Sequence, residues 1–377
     1  MKKVIALLIA VCMVFALAAC GAQPAPAPAP AASDAKTEAP AASDAKTEAP
    51  AAAPDKVYTL RLATQVAQPN PLANSAYRFA EDVAAKTNGQ VKVDVYPSNQ
   101  LGDYTSVFEE LDLGTIDLAW ISASSAFNPM IDVQGIPYIF ENWDQARAIW
   151  LDQDGFLFKT YKEANESYGN QNVLVMGVVP GGFLGICIAK DTKVDYSNAD
   201  MFAPSVAKKD LLIRNPSMDV AAMIVNGLGF NSFNLSWSEL YNALQTGVVN
   251  GAYGAGAGTV YTDLRDVVSA FYDFRYLMEM MAMYASKSSL DKLPADLAQI
   301  VVDCAVAEQY LAFDEYEEFE KEGYQQLLDY GIDVIYPTDE EMAAMAAEMR
   351  DIVWPQLYDL FGEDTMTGIR AQVEGLK

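Results

Sequence analysis

Histidine, the side chain used most often for acid–base catalysis, is missing from all 377 residues, whereas carboxylates and lysines are present. Without histidine there is no Ser-His-Asp or Cys-His nucleophile and no HExxH zinc site. The clearest carboxylate pairs are Glu109-Glu110 and Glu317-Glu318. Adjacent residues point to different sides of a helix, so these pairs predict solvated faces rather than the acid and base of a secreted hydrolase. The chain therefore favours binding over catalysis, and no pattern points to a cofactor or a metal ion.

Arg214 is the strongest candidate for binding chemistry. It follows three apolar residues in the stretch Leu211–Pro216, as expected of a strand end that directs a charge into a cleft. A guanidinium pairs with a carboxylate through two parallel hydrogen bonds and stays charged at any relevant pH. The formal charge of the chain is −26, so an anionic solute needs such a local positive group. The alternative is an edge-strand arginine paired with a surface acid.

The amino terminus has the pattern of a lipoprotein signal peptide. Two lysines precede an apolar run from Val4 to Ala19, and the last three residues of this run, Leu-Ala-Ala, lead directly to Cys20. The run is short for a membrane span, and small residues before a cysteine fit processing better than an anchor helix. We predict a signal peptide at residues 1–19 and lipidation of Cys20. Cleavage would remove both lysines and change the formal charge from −26 to −28.

Residues 20–54 predict a disordered tether behind the lipidated cysteine. The segment is rich in alanine and proline and contains the decapeptide AASDAKTEAP twice, at 31–40 and 41–50. Regular prolines and few apolar side chains larger than alanine cannot form a core, so the segment is an extended spacer. It holds the globular part away from the membrane.

Strand and helix patterns alternate in the globular part that follows. The first five elements are predicted at Val57–Ala63 (strand), Ala73–Thr87 (helix), Val91–Tyr96 (strand), Tyr104–Leu113 (helix) and Ile116–Ile121 (strand). This order predicts an α/β fold with a parallel or mixed sheet. About 320 residues remain after the tether, which is enough for two lobes.

A later segment predicts one unusually long helix. Pro294 begins a helical pattern that contains no glycine or further proline until Gly323. About 30 residues at about 1.5 Å each give roughly 45 Å, more than the diameter of one lobe. We expect this helix to span both lobes, and two shorter helices are the alternative.

Five short segments carry a family resemblance. They are Tyr96–Gly102, Leu113–Ala119, Ile136–Phe140, Leu212–Pro216 and Trp237–Gly251. Their order and spacing cover nearly the whole globular part and resemble the solute-binding subunits of tripartite ATP-independent periplasmic (TRAP) transporters of the dicarboxylate-binding type. The resemblance implies a periplasmic-binding-protein-like fold, with two lobes joined by hinge strands and a small organic acid enclosed between them. It also implies membrane subunits of a transporter as partners.

The expected division of the body follows from this resemblance. Lobe 1 is expected at 55–178, with 276–320 returning to it. Lobe 2 is expected at 179–275, with 321–377 returning to it.

The resemblance also suggests the residues that bind the solute. Arg214 is similar to the family's carboxylate-binding arginine, and Trp237 falls where an aromatic ring contacts the ligand. Ser236 and Glu239 equally predict a capped helix start, which would leave Trp237 in the core. Three further side chains fall at loop positions that supply polar contacts in relatives: Gln65, Ser122 and Ser125.

Two departures from the family pattern indicate the kind of solute. The stretch Pro180–Cys187 lacks the second arginine of many relatives, and Asn250–Gly254 reads Asn-Gly-Ala-Tyr-Gly where relatives commonly read Asp-Gly-Gln-Glu-Asn. Phe183 and Tyr253 occupy these neighbourhoods. Their rings favour a monocarboxylate with an apolar or aromatic body over a C4-dicarboxylate.

The sequence thus predicts an exported, lipid-anchored protein that captures a small organic acid and delivers it to a TRAP-type membrane transporter. It would lie at the outer face of the cytoplasmic membrane or in the periplasm. Its strong negative charge disfavours nucleic acid as a partner. The alternative is an ABC-type sugar- or peptide-binding lipoprotein, which would not need Arg214, and whose sugar sites would use several stacking tryptophans. The five tryptophans of this chain are scattered.

Overall fold

The computed structural model describes residues 56–193, 199–202 and 210–376. Cys20, the signal peptide and the tether lie outside the described residues. The body contains two β-sheets with helices packed on both faces, which confirms the predicted α/β class and its two lobes. Within the described ranges, no helix combines the length and the apolarity needed to cross a membrane.

The first sheet is the centre of lobe 1 and has five strands in the order β2-β1-β3-β10-β4. Its strands are β1 (Tyr58–Thr64), β2 (Val91–Tyr96), β3 (Leu118–Ser122), β4 (Val173–Phe183) and β10 (Met278–Ser286). The strand β1 is parallel to β2 and β3, and β10 runs antiparallel to β3 and β4. This is a mixed sheet, as the alternation of strands and helices predicts.

The second sheet is the centre of lobe 2 and has six strands in the order β11-β9-β5-β8-β6-β7. Its strands are β5 (Gly185–Ala189), β6 (Leu212–Asn215), β7 (Asn231–Asn234), β8 (Gly251–Ala255), β9 (Val268–Tyr272) and β11 (Asp333–Ile335). The strand β6 is parallel to both of its neighbours, β7 and β8. It is therefore an interior strand, and its last residues reach the edge of the sheet that faces lobe 1.

Helices cover both faces of each sheet. They are α1 (Pro71–Lys86), α2 (Tyr104–Leu113), α3 (Trp143–Trp150), α4 (Phe156–Glu166), α5 (Asp219–Gly227), α6 (Trp237–Gln245), α7 (Ala257–Thr259), α8 (Lys287–Leu290), α9 (Ala295–Tyr330), α10 (Asp339–Ile352), α11 (Trp354–Phe361) and α12 (Glu363–Glu374). The start of α1 shows how the local sequence sets a boundary. The side chain of Asn70 accepts a hydrogen bond from the backbone N–H of Leu72, and proline occupies the first helical position.

Two crossings from strand to strand connect the two sheets. The strand β4 ends at Phe183 and β5 begins at Gly185, so a single residue, Leu184, separates the two sheets. The chain returns between β9 and β10, and the two crossings are hydrogen-bonded to each other, because the N–H of Leu184 donates to the carbonyl of Leu277 (2.9 Å). The pairing of β4 with β10 continues as far as Phe183, so lobe 1 extends beyond the expected limit at residue 178.

The helix α9 is a single helix of 36 residues, about 54 Å long, and continues through Gly323. This confirms the prediction of one long helix and excludes two shorter ones. Its first half packs against α1 and β4 in lobe 1, and its second half contacts α7 and β11 in lobe 2. At its crossing with α7 the two backbones are in close contact, because Gly323 faces Gly258 and neither has a side chain.

Residues 321–377 were expected to return to lobe 2, but only part of this segment does so. Only β11 joins the second sheet, and α10 contacts α5 of that lobe. The last helix, α12, packs instead against α3 and α4 beside lobe 1. The reason is burial, since Met366, Ile369 and Val373 belong to the same apolar cluster as Leu157 and Phe158.

The helix crossing at Gly323 makes a testable prediction. A methyl group added at Gly323 would lie 2.3 Å from the backbone nitrogen of Gly258, which cannot move without displacing α7. Alanine is better than glycine in a helix by about 1 kcal/mol, but overpacking costs typically about 1–3 kcal/mol and often more against backbone. We expect Gly323→Ala to lower the free energy of unfolding by about 1–2 kcal/mol, measured by denaturant titration.

Gly368→Ala is the matched control for this prediction. The three atoms nearest to its methyl group would all belong to the ring of Phe156, a flexible side chain that is 42% exposed. We expect this second variant to be neutral or slightly stabilised. Equal stability of Gly323→Ala and wild type would show that the two backbones are not held together at this crossing.

Candidate functional site

A cleft of about 770 Å³, including its solvent-facing mouth, lies between the two sheets. Lobe 1 contributes Gln65 and Ser122 to its walls, and lobe 2 contributes Arg214 and Trp237. The long helix α9 contributes Tyr316 from the middle of its length. A solute in this cleft would therefore contact both lobes and the helix that spans them.

Arg214 supplies the positive charge of the cleft. It lies at the end of β6 and is only 1% exposed. Its Nε donates to the carbonyl of Leu235 (2.8 Å), and its Nη1 donates to the carbonyl of Tyr253 (3.3 Å). No acceptor for Nη2 is found among the described residues. The guanidinium is thus held in place by two carbonyls, and these bonds leave one N–H of Nη1 and both N–H groups of Nη2 for an anion.

The environment of Arg214 excludes the alternative of an edge-strand arginine paired with a surface acid. The strand β6 has a neighbour on each side. Burial lowers the pKa of Arg214 to about 10, partly offset by the neighbouring Tyr104 and Glu279, so the group remains protonated at neutral pH. Gly254, with a φ of +107°, leaves room for the guanidinium, because a Cβ at this position would lie 3.3 Å from Nη1.

The wall opposite Arg214 carries a chain of hydrogen bonds. Ser122 donates its backbone N–H to Oε1 of Gln65 (2.9 Å) and receives a hydrogen bond from Nε2 of the same side chain (3.0 Å). The Ser122 hydroxyl in turn donates to Oε1 of Glu279 (2.9 Å). Burial raises the pKa of Glu279, while the bond from Ser122 and the charge of Arg214 act to lower it.

Aromatic rings form much of the remaining surface. Trp237 lines the cleft with its ring centre 5.7 Å from the guanidinium carbon of Arg214, and Tyr253 stacks on Tyr276 at 4.7 Å. Ser236 occupies the N-cap position of α6, but its hydroxyl donates to Oε2 of Glu239 (2.7 Å) and makes no bond to the helix backbone. Trp237 also packs against the apolar core of lobe 2, so it belongs to both the cleft and the core.

The structure brings five of the seven residues expected to bind the solute together around the cleft: Gln65, Ser122, Arg214, Trp237 and Tyr253. Ser125 and Phe183 lie elsewhere. The hydroxyl of Ser125 accepts the N–H of Asp219 at the start of α5 (3.2 Å). The ring of Phe183 turns into the core against Trp143 (6.0 Å), and its neighbour Leu184 lines the cleft instead. Successive residues of an extended chain point to opposite sides, so a one-residue difference decides which side chain reaches the solute.

Sequence reasoning missed Glu279 and several polar or aromatic side chains of the cleft: Asn70, Tyr104, Gln134, Thr259 and Tyr316. A signal for Glu279 was present, because it is the single charged residue between Leu277 and Ala285 in an otherwise apolar strand. Nothing in the local sequence marks the others, which come from separate loops and helices. Among the residues that the structure describes, no group of three or more acids or cysteines is placed to hold a metal ion.

A buried acid joins the lobes beside the cleft. Asp132 is fully buried in a 3₁₀ helix (Pro129–Gly135), and its Oδ2 accepts the N–H of Val220 at the start of α5 (3.2 Å). Burial raises its pKa to about 7, because the loss of solvation outweighs this hydrogen bond. Ser124 and Ser125 contact the same part of lobe 2, through Ser217 and Asp219. The start of α5 is thus held by a buried carboxyl group whose ionisation is unfavourable.

Two α/β lobes, two strand crossings and a cleft with polar and aromatic walls between the lobes define a ligand-binding protein of the two-lobed class. The model of the DctP family, bacterial extracellular solute-binding protein family 7, matches residues 62–358. The chain therefore belongs to this family of TRAP-type solute-binding proteins, and this confirms the predicted class over an ABC-type protein. The family consists of binding proteins that act in the periplasm.

Known relatives agree with this assignment. The C4-dicarboxylate-binding periplasmic protein DctP of Rhodobacter capsulatus is 26% identical over 318 residues, which are 83% of this chain and 90% of the relative. The fold matches the sugar acid binding protein DctPAm of Advenella mimigardefordensis, solved with galactonate, with a TM-score of 0.76 at 19% identity over 85% of this chain and 99% of that one. It also matches a TRAP periplasmic solute-binding protein of Sulfurospirillum deleyianum with bound succinate, with a TM-score of 0.73 at 23% identity over 84% and 99% of the two chains.

The buried position of Asp132 predicts how stability depends on pH. The folded-state pKa of Asp132, about 7, lies above the ordinary value near 3.8. The contribution of Asp132 to the free energy of unfolding is therefore fully present below about pH 4 and is lost as the pH rises to about 7. Asp132→Asn cannot ionise and keeps an oxygen for Val220. We expect the variant to be more stable than wild type at about pH 8, by up to about 4 kcal/mol, with a smaller difference at about pH 5.

Denaturant titrations of both proteins at the two pH values measure this difference. Asp144→Asn serves as the control, because the Asp144 side chain is 96% exposed and its removal should have little effect at either pH. A stability difference between Asp132→Asn and wild type that is the same at both pH values would contradict the assignment.

Proposed function

We propose that this protein captures a small organic acid in the cleft, with Arg214 binding its carboxylate, and delivers it to the membrane subunits of a TRAP transporter. The observation that supports this most directly is the charge of the cleft. Arg214 is the only lysine or arginine among the described residues that line it, in a chain with a formal charge of −26. An anion attracted to this protein therefore has one cationic partner in the cleft.

A monocarboxylate suits this cleft better than a dicarboxylate. One guanidinium pairs with one carboxylate, and the stretch in which many relatives have a second arginine contributes Leu184 to the lining. Glu279 adds a negative charge on the opposite wall, which repels a second carboxylate. The rings of Tyr104, Trp237 and Tyr253 favour an apolar or aromatic body between the polar groups.

The cellular location and the tether rest on the sequence. The apolar run before Cys20 supports export, cleavage and lipidation, and the Ala/Pro-rich segment 20–54 supports a spacer of considerable reach. A lipid-anchored binding protein at the outer face of the cytoplasmic membrane or in the periplasm stays close to its transporter. The partners are thus a small acid and the membrane subunits, with the lipid as the anchor.

Substitution of Arg214 tests the proposed site. Charge-assisted hydrogen bonds contribute roughly 1.5–3 kcal/mol each, so loss of a two-bond pair by Arg214→Ala should weaken acid binding by about two to three and a half orders of magnitude. Arg214→Lys keeps the charge but not the planar fork, so it should recover only part of the affinity. Calorimetric titration, with acids bound by relatives such as galactonate, D-glucuronate and succinate as first probes, gives the affinities.

Arg61→Ala is the matched control, because Arg61 lies on β1 of lobe 1 with an exposed side chain outside the cleft. It removes the same charge from the chain and should leave acid affinity unchanged. Circular dichroism of every variant checks the fold. Affinity of Arg214→Ala within about threefold of wild type would show that the acid is held elsewhere.

The lipid anchor is tested separately. We expect the wild-type protein to incorporate labelled palmitate in cells and to sediment with membranes, whereas Cys20→Ala should do neither, because the acylated thiol is missing. Cys304→Ala is the control, since Cys304 is a free, buried thiol in the body and should not affect labelling. Labelling of Cys20→Ala at the wild-type level would disprove this anchor.

A further inference from the structure

Glu279 occupies a special position in lobe 1. The register between β10 and β4 shifts around it, so that two glycines of β4, Gly181 and Gly182, stand opposite this one residue. An extra residue in one strand forms a β-bulge, which changes the direction of nearby side chains. A Cβ at Gly181 would lie 2.8 Å from Oε2 of Glu279, so the glycine leaves the room that this carboxylate occupies. The local backbone thus accommodates an acid at the wall of the cleft.

The hydrogen bonds around Glu279 make it an acceptor. The backbone N–H of Ser122 binds Oε1 of Gln65 and so orients the amide, whose Nε2 then donates to the Ser122 hydroxyl. The single proton of that hydroxyl is left for Oε1 of Glu279 (2.9 Å). The other oxygen, Oε2, has no hydrogen-bond donor among the described residues. Glu279 therefore lines the cleft with one acceptor oxygen that no donor of residues 56–193, 199–202 or 210–376 satisfies.

Arg214 and Glu279 are two separate poles of the same cleft. No ion pair within 4.0 Å joins them, and each has a polar atom, Nη2 or Oε2, without a partner in the described part of the chain. Their formal charges cancel, so the cleft without a solute carries no net charge from this pair. A dicarboxylate would bring in two negative charges and a hydroxy acid one, whereas a zwitterion would bring in none. Enclosing an unbalanced charge is costly, which favours the zwitterion.

We propose that the solute carries an amine as well as a carboxylate, and that Glu279 binds its ammonium group while Arg214 binds its carboxylate. This inference rests on the proposed function, because it assumes that Arg214 holds the acid. The chemical class is an amino acid or a related zwitterion with an aliphatic or aromatic body. The chain Gln65–Ser122–Glu279 positions the acceptor, and the rings of Trp237 and Tyr253 contact the body.

Matched compounds that differ in one group test this class. The first series is γ-aminobutyrate, γ-hydroxybutyrate and succinate, and an aromatic series is phenylalanine, phenyllactate and phenylsuccinate. We expect the amine of at least one series to bind most tightly to the wild-type protein and the dicarboxylate to bind most weakly. Glu279→Gln should lower the affinity for the amine by about 10- to 100-fold and change the affinity for the hydroxy acid by less than about threefold. It should raise the affinity for the dicarboxylate.

Glu318→Gln is the control for the loss of a negative charge, because Glu318 is exposed on α9 and lies outside the cleft. It should leave the order of the three compounds unchanged. If no compound of either series binds, the solute that co-purifies with the protein is released and identified by mass spectrometry. A molecule with a basic nitrogen and a carboxylate supports the inference, and one without a basic nitrogen overturns it.

The two proposals fail in different ways. If Glu279→Gln lowers the affinity for amines and hydroxy acids equally, or lowers neither, the proposal of a zwitterionic solute is wrong. Loss of binding in Arg214→Ala would still support capture of an acid in that case. Retained acid binding in Arg214→Ala would overturn both, because the carboxylate pole would then be misplaced.

Discussion

The burial of one full positive charge at the end of β6 is the constraint on which the cleft depends. Arg214 is almost inaccessible to solvent, and the carbonyls of Leu235 and Tyr253 replace only part of its hydration. Neutral carbonyls do not balance a charge, so burial still lowers the pKa of the guanidinium. The backbone must also come close to it, which Gly254 allows through its left-handed conformation. Under the proposed function, the carboxylate of the solute completes this arrangement.

Buried polar groups also accompany the connections between the lobes. The two strand crossings are short and hydrogen-bonded to each other, and α9 spans the same gap as a continuous helix. Buried acids lie at these connections. Glu320 of α9 accepts the N–H of Phe183 at the end of β4, and burial raises its pKa to about 8. Asp132 likewise accepts a backbone N–H, at the start of α5, and its pKa is also raised by burial. Two buried acids thus lie where elements of the two lobes meet.

The relatives show how much of this architecture is shared. Solved structures at 19% and 23% identity superimpose with TM-scores of 0.76 and 0.73 and cover nearly all of their own chains. The fold therefore tolerates extensive change in sequence. Within this shared body, the cleft of this chain presents a single arginine and a glutamate together with aromatic walls.

The sequence by itself determined the features that depend on neighbours along the chain. Alternation and helical spacing indicated the α/β class, the uninterrupted pattern after Pro294 indicated α9, and the apolar stretch before Arg214 placed that residue at a strand end. The tertiary structure alone decided which side chains face the cleft, because that depends on strand register and on which elements pack together. A one-residue difference puts Leu184 rather than Phe183 in the lining, a bulge in β4 lies opposite Glu279 at the wall, and burial of distant apolar residues places α12 against α4. Local periodicity is a property of consecutive residues. The contacts that form the cleft join segments far apart in the chain, so only the packed fold brings them together.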